Sequence, residues 1–307
     1  MKNENHEKCV RRNEPLTYFE DNVGEMKEGS RSHLKRFEDL TFTDDFMFCK
    51  TLTENPDLCK ELAELIIGRN IARIVSVHQQ KAVEILPDGR GVRFDVCLEG
   101  EEEICDIEMQ NDVDKKVLPK RSRYYQSAVD IENLVRSEDY TKLKKSYILF
   151  LCKEMPFKGK ALHKFTFKNI CLEDPDLELG DETYKIFMTP AGTADDISKE
   201  MKGLMSYLAD NKAETDFAEK LENAVKAIKK GEGWRIEYMQ LKEKMDAQYE
   251  AGREEGREEE RENADRDFIG SYVEDGAEDE FIINKLISKR GLDREQAMEK
   301  LKKYKKV

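Results

Sequence analysis

Residues 91–110, Gly-Val-Arg-Phe-Asp-Val-Cys-Leu-Glu-Gly-Glu-Glu-Glu-Ile-Cys-Asp-Ile-Glu-Met-Gln, constrain this chain more than any other stretch. Phe94, Val96 and Leu98 alternate with polar neighbours, and Cys105, Ile107 and Met109 do the same. That is the period-two pattern of half-buried strands. Between them Glu99-Gly100-Glu101-Glu102-Glu103 is acidic and glycine-marked, which suits a turn. A turn centred between Glu101 and Glu102 sets the register of the hairpin. Asp95 then faces Glu108, Arg93 faces Gln110 and Cys97 faces Asp106, with opposed Cβ atoms roughly 4.5–5.5 Å apart. Phe94 pairs with Met109 and Val96 with Ile107 on the other side. One side of the predicted hairpin is core, and the other gathers Asp95, Asp106, Glu108 and Gln110.

Two opposed carboxylates repel and raise each other's pKa. A hard divalent cation between them relieves the repulsion, and Mg²⁺ takes oxygen ligands while keeping several waters. A solvated acidic strand face accounts for the same residues without any ligand.

The chain has 307 residues, which predicts one main domain and an appendage. Charged residues (39%) slightly outnumber hydrophobic ones (38%), the balance of a core diluted by long solvated helices. A net charge of -13 excludes a protein that coats nucleic acid indiscriminately. A local basic patch survives that total: between Lys115 and Lys145 nine Lys or Arg stand against four acids. Seven cysteines show no C-x-x-C and no His-paired zinc spacing, which predicts reduced thiols and a cytoplasmic protein. No apolar run approaches the roughly 18 residues that span a bilayer, so no membrane is expected. The N-terminus is too polar for a signal peptide.

Residues 1–36 read as a loose leader. Thr43 is the expected N-cap of a first helix, with Asp44 and Asp45 in its first turn. A second helix follows Pro56-Asp57, carries Leu58, Leu62, Leu65 and Ile66, and closes at Gly68. Residues 71–86 are β-rich, and Pro87-Asp88-Gly89 turns into the hairpin. A third helix starts near Pro119, with Tyr124, Tyr125, Ala128, Ile131, Leu134 and Val135 as its apolar positions. Lys145–Cys152 is a continuous apolar run, the mark of a central strand covered on both sides. Phe165-Thr166-Phe167 and residues 184–188 are further strands. Together these give an α/β core over residues 37–192. Charged helices follow over 193–266, where opposite charges recur at helical spacing around Arg253–Arg261. Residues 267–307 read as a small helical segment of three short helices, punctuated by Gly276 and Gly291.

An Asp near the end of one strand, then Glu-x-Gln on the next, then a helix with a basic start, resembles the PD-(D/E)XK nuclease fold. The residues are Asp95, Glu108 and Gln110. More closely, the chain resembles the Rpn family of recombination-promoting nucleases and transposases, in which Glu-x-Gln replaces Glu-x-Lys. Three further stretches carry the likeness: Thr43–Phe48, Lys120-Arg121-Ser122-Arg123-Tyr124-Tyr125, and Ala251-Gly252-Arg253-Glu254-Glu255-Gly256. It extends over about residues 37–300. The resemblance implies a restriction-endonuclease-like α/β core, a mixed central sheet flanked by helices, with an all-α C-terminal extension. It also implies Mg²⁺-dependent cleavage of DNA, with Mn²⁺ as a substitute. Asp95, Glu108 and the backbone carbonyl of Met109 would hold the ion, and Gln110 would position a water. Asp45, Asp106, Glu61 and Glu64 are the candidate accessory acids. Lys120, Arg121, Arg123 and Tyr124 are the candidate DNA contacts.

Gln110 carries no charge where the wider superfamily has lysine. The second reading is therefore a weak or inactive nuclease fold serving as a DNA-binding or self-assembling module. A third is an RNA- or toxin-like nuclease using the same site. A homodimer is the expected assembly.

Overall fold

The computed structural model describes residues 34–83, 91–134 and 137–305. The expected leader (save Leu34 to Arg36), the Pro87-Asp88-Gly89 turn and Val135 lie outside the described residues. The chain divides into two compact units, the first holding Lys35–Arg235 and the second Ile236–Val307.

The first unit is built on a six-stranded sheet ordered β1-β2-β3-β4-β6-β5. Its strands are β1 (Ile74–Val83), β2 (Val92–Gly100), β3 (Glu103–Gln110), β4 (Lys145–Cys152), β5 (Lys164–Phe167) and β6 (Thr183–Met188). β1, β2 and β3 run antiparallel, β3-β4 and β4-β6 are parallel, and β5 closes the far edge antiparallel to β6. The sheet is therefore mixed. β4 is buried from Ser146 to Cys152, as a strand covered on both faces must be.

The hairpin forms in the predicted register: Val96 pairs with Ile107, Cys97 with Asp106 and Leu98 with Cys105. Alternation breaks at Phe94, which was expected to lie opposite the acids. Its ring packs 5.6 Å from Tyr125, and Tyr125 lies 6.1 Å from Phe150, which sits beside Glu108 in the β3-β4 register. The β1-β2 ladder skips the position of Gln80 and Asp95, and Gln80 takes a left-handed φ of 50°. That local irregularity lets Phe94 join the side that bears the acids. This side is also not a solvated one, since Asp106, Glu108 and Gln110 are all buried.

Its cover is α3 (Leu118–Asn133), which crosses from β3 to the parallel strand β4. Tyr125, Ala128 and Val129 are its apolar anchors. Tyr124 and Ile131 were expected beside them and are exposed instead. The helix lies over a polar strand face, so polar side chains take inward positions: Gln126 Nε2 donates to Ser146 Oγ at 2.6 Å.

On the other flank, α1 (Asp45–Glu54) and α2 (Pro56–Ile67) precede the sheet. Asp44, not Thr43, is the N-cap residue of α1, and its carboxylate accepts the Thr41 N–H at 2.7 Å and pairs with Lys35 at 2.7 Å. α2 has Pro at its start and ends on Gly68 at φ 87°, a conformation costly for any residue with a Cβ. α4 (Lys199–Asp210) and α5 (Asp216–Lys230) add Met201, Leu204, Leu208, Phe217 and Leu221 to the core.

α6 (Glu232–Glu274) belongs to the second unit from Ile236 on, and there it carries exposed Arg–Glu pairs such as Arg257–Glu254 at 3.6 Å. Pairs of that kind contribute little individually. The end of α6, α7 (Asp279–Arg290) and α8 (Arg294–Tyr304) enclose Ile269, Ile282, Leu286, Ala297 and Leu301. The first of the three short helices expected here is the end of α6, because nothing interrupts the helix before Gly276 at φ 74°. Hydrogen bonds from Lys300, Lys303 and Tyr304 pull the Glu262 carboxyl down to about 2 and tie α8 to α6. Among the described residues no helix is long and apolar enough to cross a membrane.

Leu149 on β4 is 0% exposed. Leu149→Ala is expected to lower unfolding free energy by about 2–5 kcal/mol in urea titration. A loss below about 1 kcal/mol would place Leu149 outside the tightly packed centre.

Candidate active site

The β2-β3 ladder stops at Val96 and Ile107, and beyond it two carboxylates take over the bonding between the strands. Glu108 Oε1 accepts the Asp95 N–H at 2.8 Å, and Asp95 Oδ2 accepts the Met109 N–H at 3.0 Å. Each acid is fixed by the backbone of the other's strand. The two residues that the register set opposite one another are thereby brought together at the open end of the hairpin. Met109 sits between Glu108 and Gln110, half-buried.

Asp106 lies two residues behind Glu108 on β3 and is 0% exposed. No N–H or O–H of the described chain reaches either of its carboxyl oxygens. A hydrogen bond between Asp106 and Glu108 therefore requires one of them to hold a proton. Burial, then the charge of Glu108, push the Asp95 and Asp106 carboxyls well above the usual range. Burial also raises Glu108, against the pull of Arg121. Gln110 is buried too; its Nε2 donates to the Asp112 carbonyl and its Oε1 has no partner.

Asp45, at the start of α1, joins this group from the opposite element. One carboxyl oxygen each of Asp45 and Asp95 and the Cys49 sulfur lie within 4.8 Å of one another. Cys49 Sγ donates to the Asp95 carbonyl at 3.4 Å, and burial raises its thiol pKa. Cys49 was missed from the sequence, although its place four residues after Asp45 puts both on one helical face. The Asn111 amide donates to the Thr43 carbonyl at 2.9 Å, tying the loop after β3 to the approach of α1.

Glu61 and Glu64 are not brought to this group. Glu61 pairs with Lys220 of α5 at 2.7 Å, and Glu64 accepts the Ile71 N–H at 2.8 Å. The basic stretch divides by helix face. Lys120, Arg123 and Tyr124 are exposed, together with Lys115 and Lys116. Arg121 turns inward, and its Nη2 donates to Glu108 Oε2 at 3.0 Å.

Four buried or half-buried acids thus face two guanidinium groups, Arg121 on Glu108 and Arg93 at 4.0 Å from Asp45, and two oxygens on Asp106 lack any donor. Oxygen donors in excess of local positive charge are what a hard divalent cation requires. The residues fit such an ion.

Protein held in chelator is expected to report the same imbalance. The folded-state carboxyl of Asp106 is raised, so folding takes up protons, and stability falls as pH rises from about 4, the ordinary Asp value. The difference between wild type and Asp106→Asn isolates this group. Asp106→Asn is expected to raise Tm at pH 7 and to leave it unchanged near pH 4. A lowered Tm at pH 7 would show that the charged form of Asp106 is the stabilised one.

No match to this chain is found among curated proteins or among solved structures. A family model described as PD-(D/E)XK nuclease family transposase matches residues 37–260, well over half of the chain. The matched span takes in α1, the acidic hairpin, α3 and the six strands, and a mixed sheet flanked by helices agrees with a PD-(D/E)XK core. The chain therefore belongs to the PD-(D/E)XK nuclease family transposases.

Proposed function

We propose that this protein is a Mg²⁺-dependent endonuclease that hydrolyses phosphodiester bonds in DNA. The observation that carries the reading is the convergence of Asp95 and Glu108 where the β2-β3 ladder ends, with Asp106 uncompensated behind them. Asp95, Glu108 and the backbone carbonyl of Met109 would hold the ion, with Asp45 as an additional carboxylate. Mg²⁺, or Mn²⁺ in its place, lowers the pKa of a bound water and polarises a phosphate. The chain's own contribution is order and charge. Backbone N–H groups hold both carboxylates in advance, so less side-chain entropy is lost on binding. Gln110 would orient a water through its amide oxygen, Oε1, which no donor of the described chain reaches. Lys120, Arg123 and Tyr124 stand exposed on α3 just after the acidic strand, where the two cations can neutralise phosphates and the tyrosine hydroxyl can hydrogen-bond one, all without base-specific contact. The described cysteines are free thiols, which accords with a reducing, cytoplasmic setting.

Gln110 favours a second reading. It is uncharged, and its amide is already engaged with the Asp112 carbonyl. A protein that binds DNA or self-assembles without cutting it would keep this fold. Cleavage of both strands calls for two sites, so a homodimer is the assembly that the first reading favours. Light scattering that gives a monomer at working concentration would remove that part of it.

Nicking of supercoiled plasmid separates the two readings. Wild type is expected to nick in Mg²⁺ or Mn²⁺ and not in EDTA. Asp95→Ala and Glu108→Ala should each lose about 100-fold or more, the scale of removing a preorganised charged group from such a site. Equal rates in all three proteins would dismiss the assigned acids. RNA run in parallel tests whether DNA is the preferred substrate.

A further inference from the structure

The acidic group needs positive charge at the reacting phosphate, and Gln110 supplies none. Two cations reach this group: Arg93 lies 4.0 Å from the outlying Asp45, whereas Arg121 meets the central acid, through Nη2 on Glu108 Oε2 at 3.0 Å. Its side chain is not free to follow solvent: the guanidinium lies 5.1 Å from the Tyr125 ring centre and 5.6 Å from that of Phe150. Both rings are buried, so α3 and β4 hold the charge in place. Arg121 Nε is buried with no hydrogen-bond partner. A packed guanidinium with a donor to spare, set on a metal-competent carboxylate, differs from the exposed Lys120 and Arg123 beside it. Those two suit phosphates remote from the acids.

We propose that Arg121, delivered from α3, is the fixed cation that stabilises negative charge on the phosphate being cleaved, the task for which Gln110 on β3 has no charge. The proposal rests on the nuclease reading above. In the hydrolysis a water oxygen bonds to phosphorus, the bond from phosphorus to one deoxyribose oxygen breaks, and that oxygen leaves with a proton. Arg121 exchanges no atom or electron; it stays protonated throughout and offers its N–H groups to a non-bridging oxygen. Because guanidinium is a planar fork held between rings, lysine at 121 restores the charge without the geometry.

The test compares wild type, Arg121→Gln, Arg121→Lys, Lys120→Gln and the double variant Arg121→Gln/Gln110→Lys. Each is measured for plasmid nicking (kcat and KM), for Mn²⁺ affinity by calorimetry and for melting temperature. Arg121→Gln should lose about 100-fold in kcat with KM for DNA little changed. It should still bind Mn²⁺ within about threefold of wild type, since Asp95 and Glu108 remain, whereas second-sphere support for a metal is usually worth 10- to 100-fold in affinity (~1 to 2 powers of ten). Arg121→Lys should fall between the two, and Gln110→Lys in the Arg121→Gln background should regain about tenfold in kcat by putting the charge back from the strand. Lys120→Gln should raise KM alone and weaken its salt dependence.

Wild-type kcat in Arg121→Gln overturns the proposal. So does a loss that tracks weakened Mn²⁺ binding, which would make Arg121 a positioning residue for Glu108. A loss confined to KM would make it a DNA contact like Lys120. Failure of the underlying reading looks different: wild type itself would not nick DNA, and the role of Arg121 in cleavage would fall with it. The double variant and the melting temperatures separate a misfolded Arg121→Gln from a folded, charge-deficient one.

Discussion

The structure turns on an unfavourable interaction held in place by favourable ones. Asp95, Asp106 and Glu108 are packed into a protein interior where like charges cost most. They stay together because the Asp95 N–H holds the Glu108 carboxylate and the Met109 N–H holds the Asp95 carboxylate, where the β2-β3 ladder itself has ended. Without those two bonds the strand ends would hold four unsatisfied groups. With them, the end of a hairpin becomes a rigid pair of carboxylates. A site of this kind is a place where local rules are broken and the surrounding fold compensates.

The surrounding elements supply that compensation. β4 gives the sheet a fully buried centre beside β3, and the crossover through α3 covers the acidic face that would otherwise meet water. That cover excludes solvent and brings a single guanidinium onto Glu108. From the opposite flank α1 places Asp45 and Cys49 against Asp95. The acidic group is thus closed by two helices from different parts of the chain, which is how a strand pair presents a buried, charged and still accessible site.

The errors of inference fall where burial was judged from pattern alone. Tyr124 and Ile131 look apolar by type, yet α3 turns Gln126 and Arg121 inward because the strand face beneath it is polar. Phe94 has the right parity for the opposite face, and an irregularity at Gln80 moves it. Glu61 and Glu64 lie near a helical stripe, but Lys220 of α5 and the Ile71 N–H, between α2 and β1, take their carboxylates. In each case the deciding partner lies on another segment, and periodicity within one segment carries no information about it.

The alternation and the turn of residues 91–110 determined the hairpin, its register and the opposition of Asp95 with Glu108, because side-chain period and turn position are local properties. The run Lys145–Cys152 determined a central strand for the same reason. Only the tertiary structure decided that the acidic face is buried, that Arg121 rather than solvent meets Glu108, and that Asp45 and Cys49 complete the group. Burial and charge pairing depend on which segments pack together, and those segments are separated by tens of residues that local pattern cannot connect.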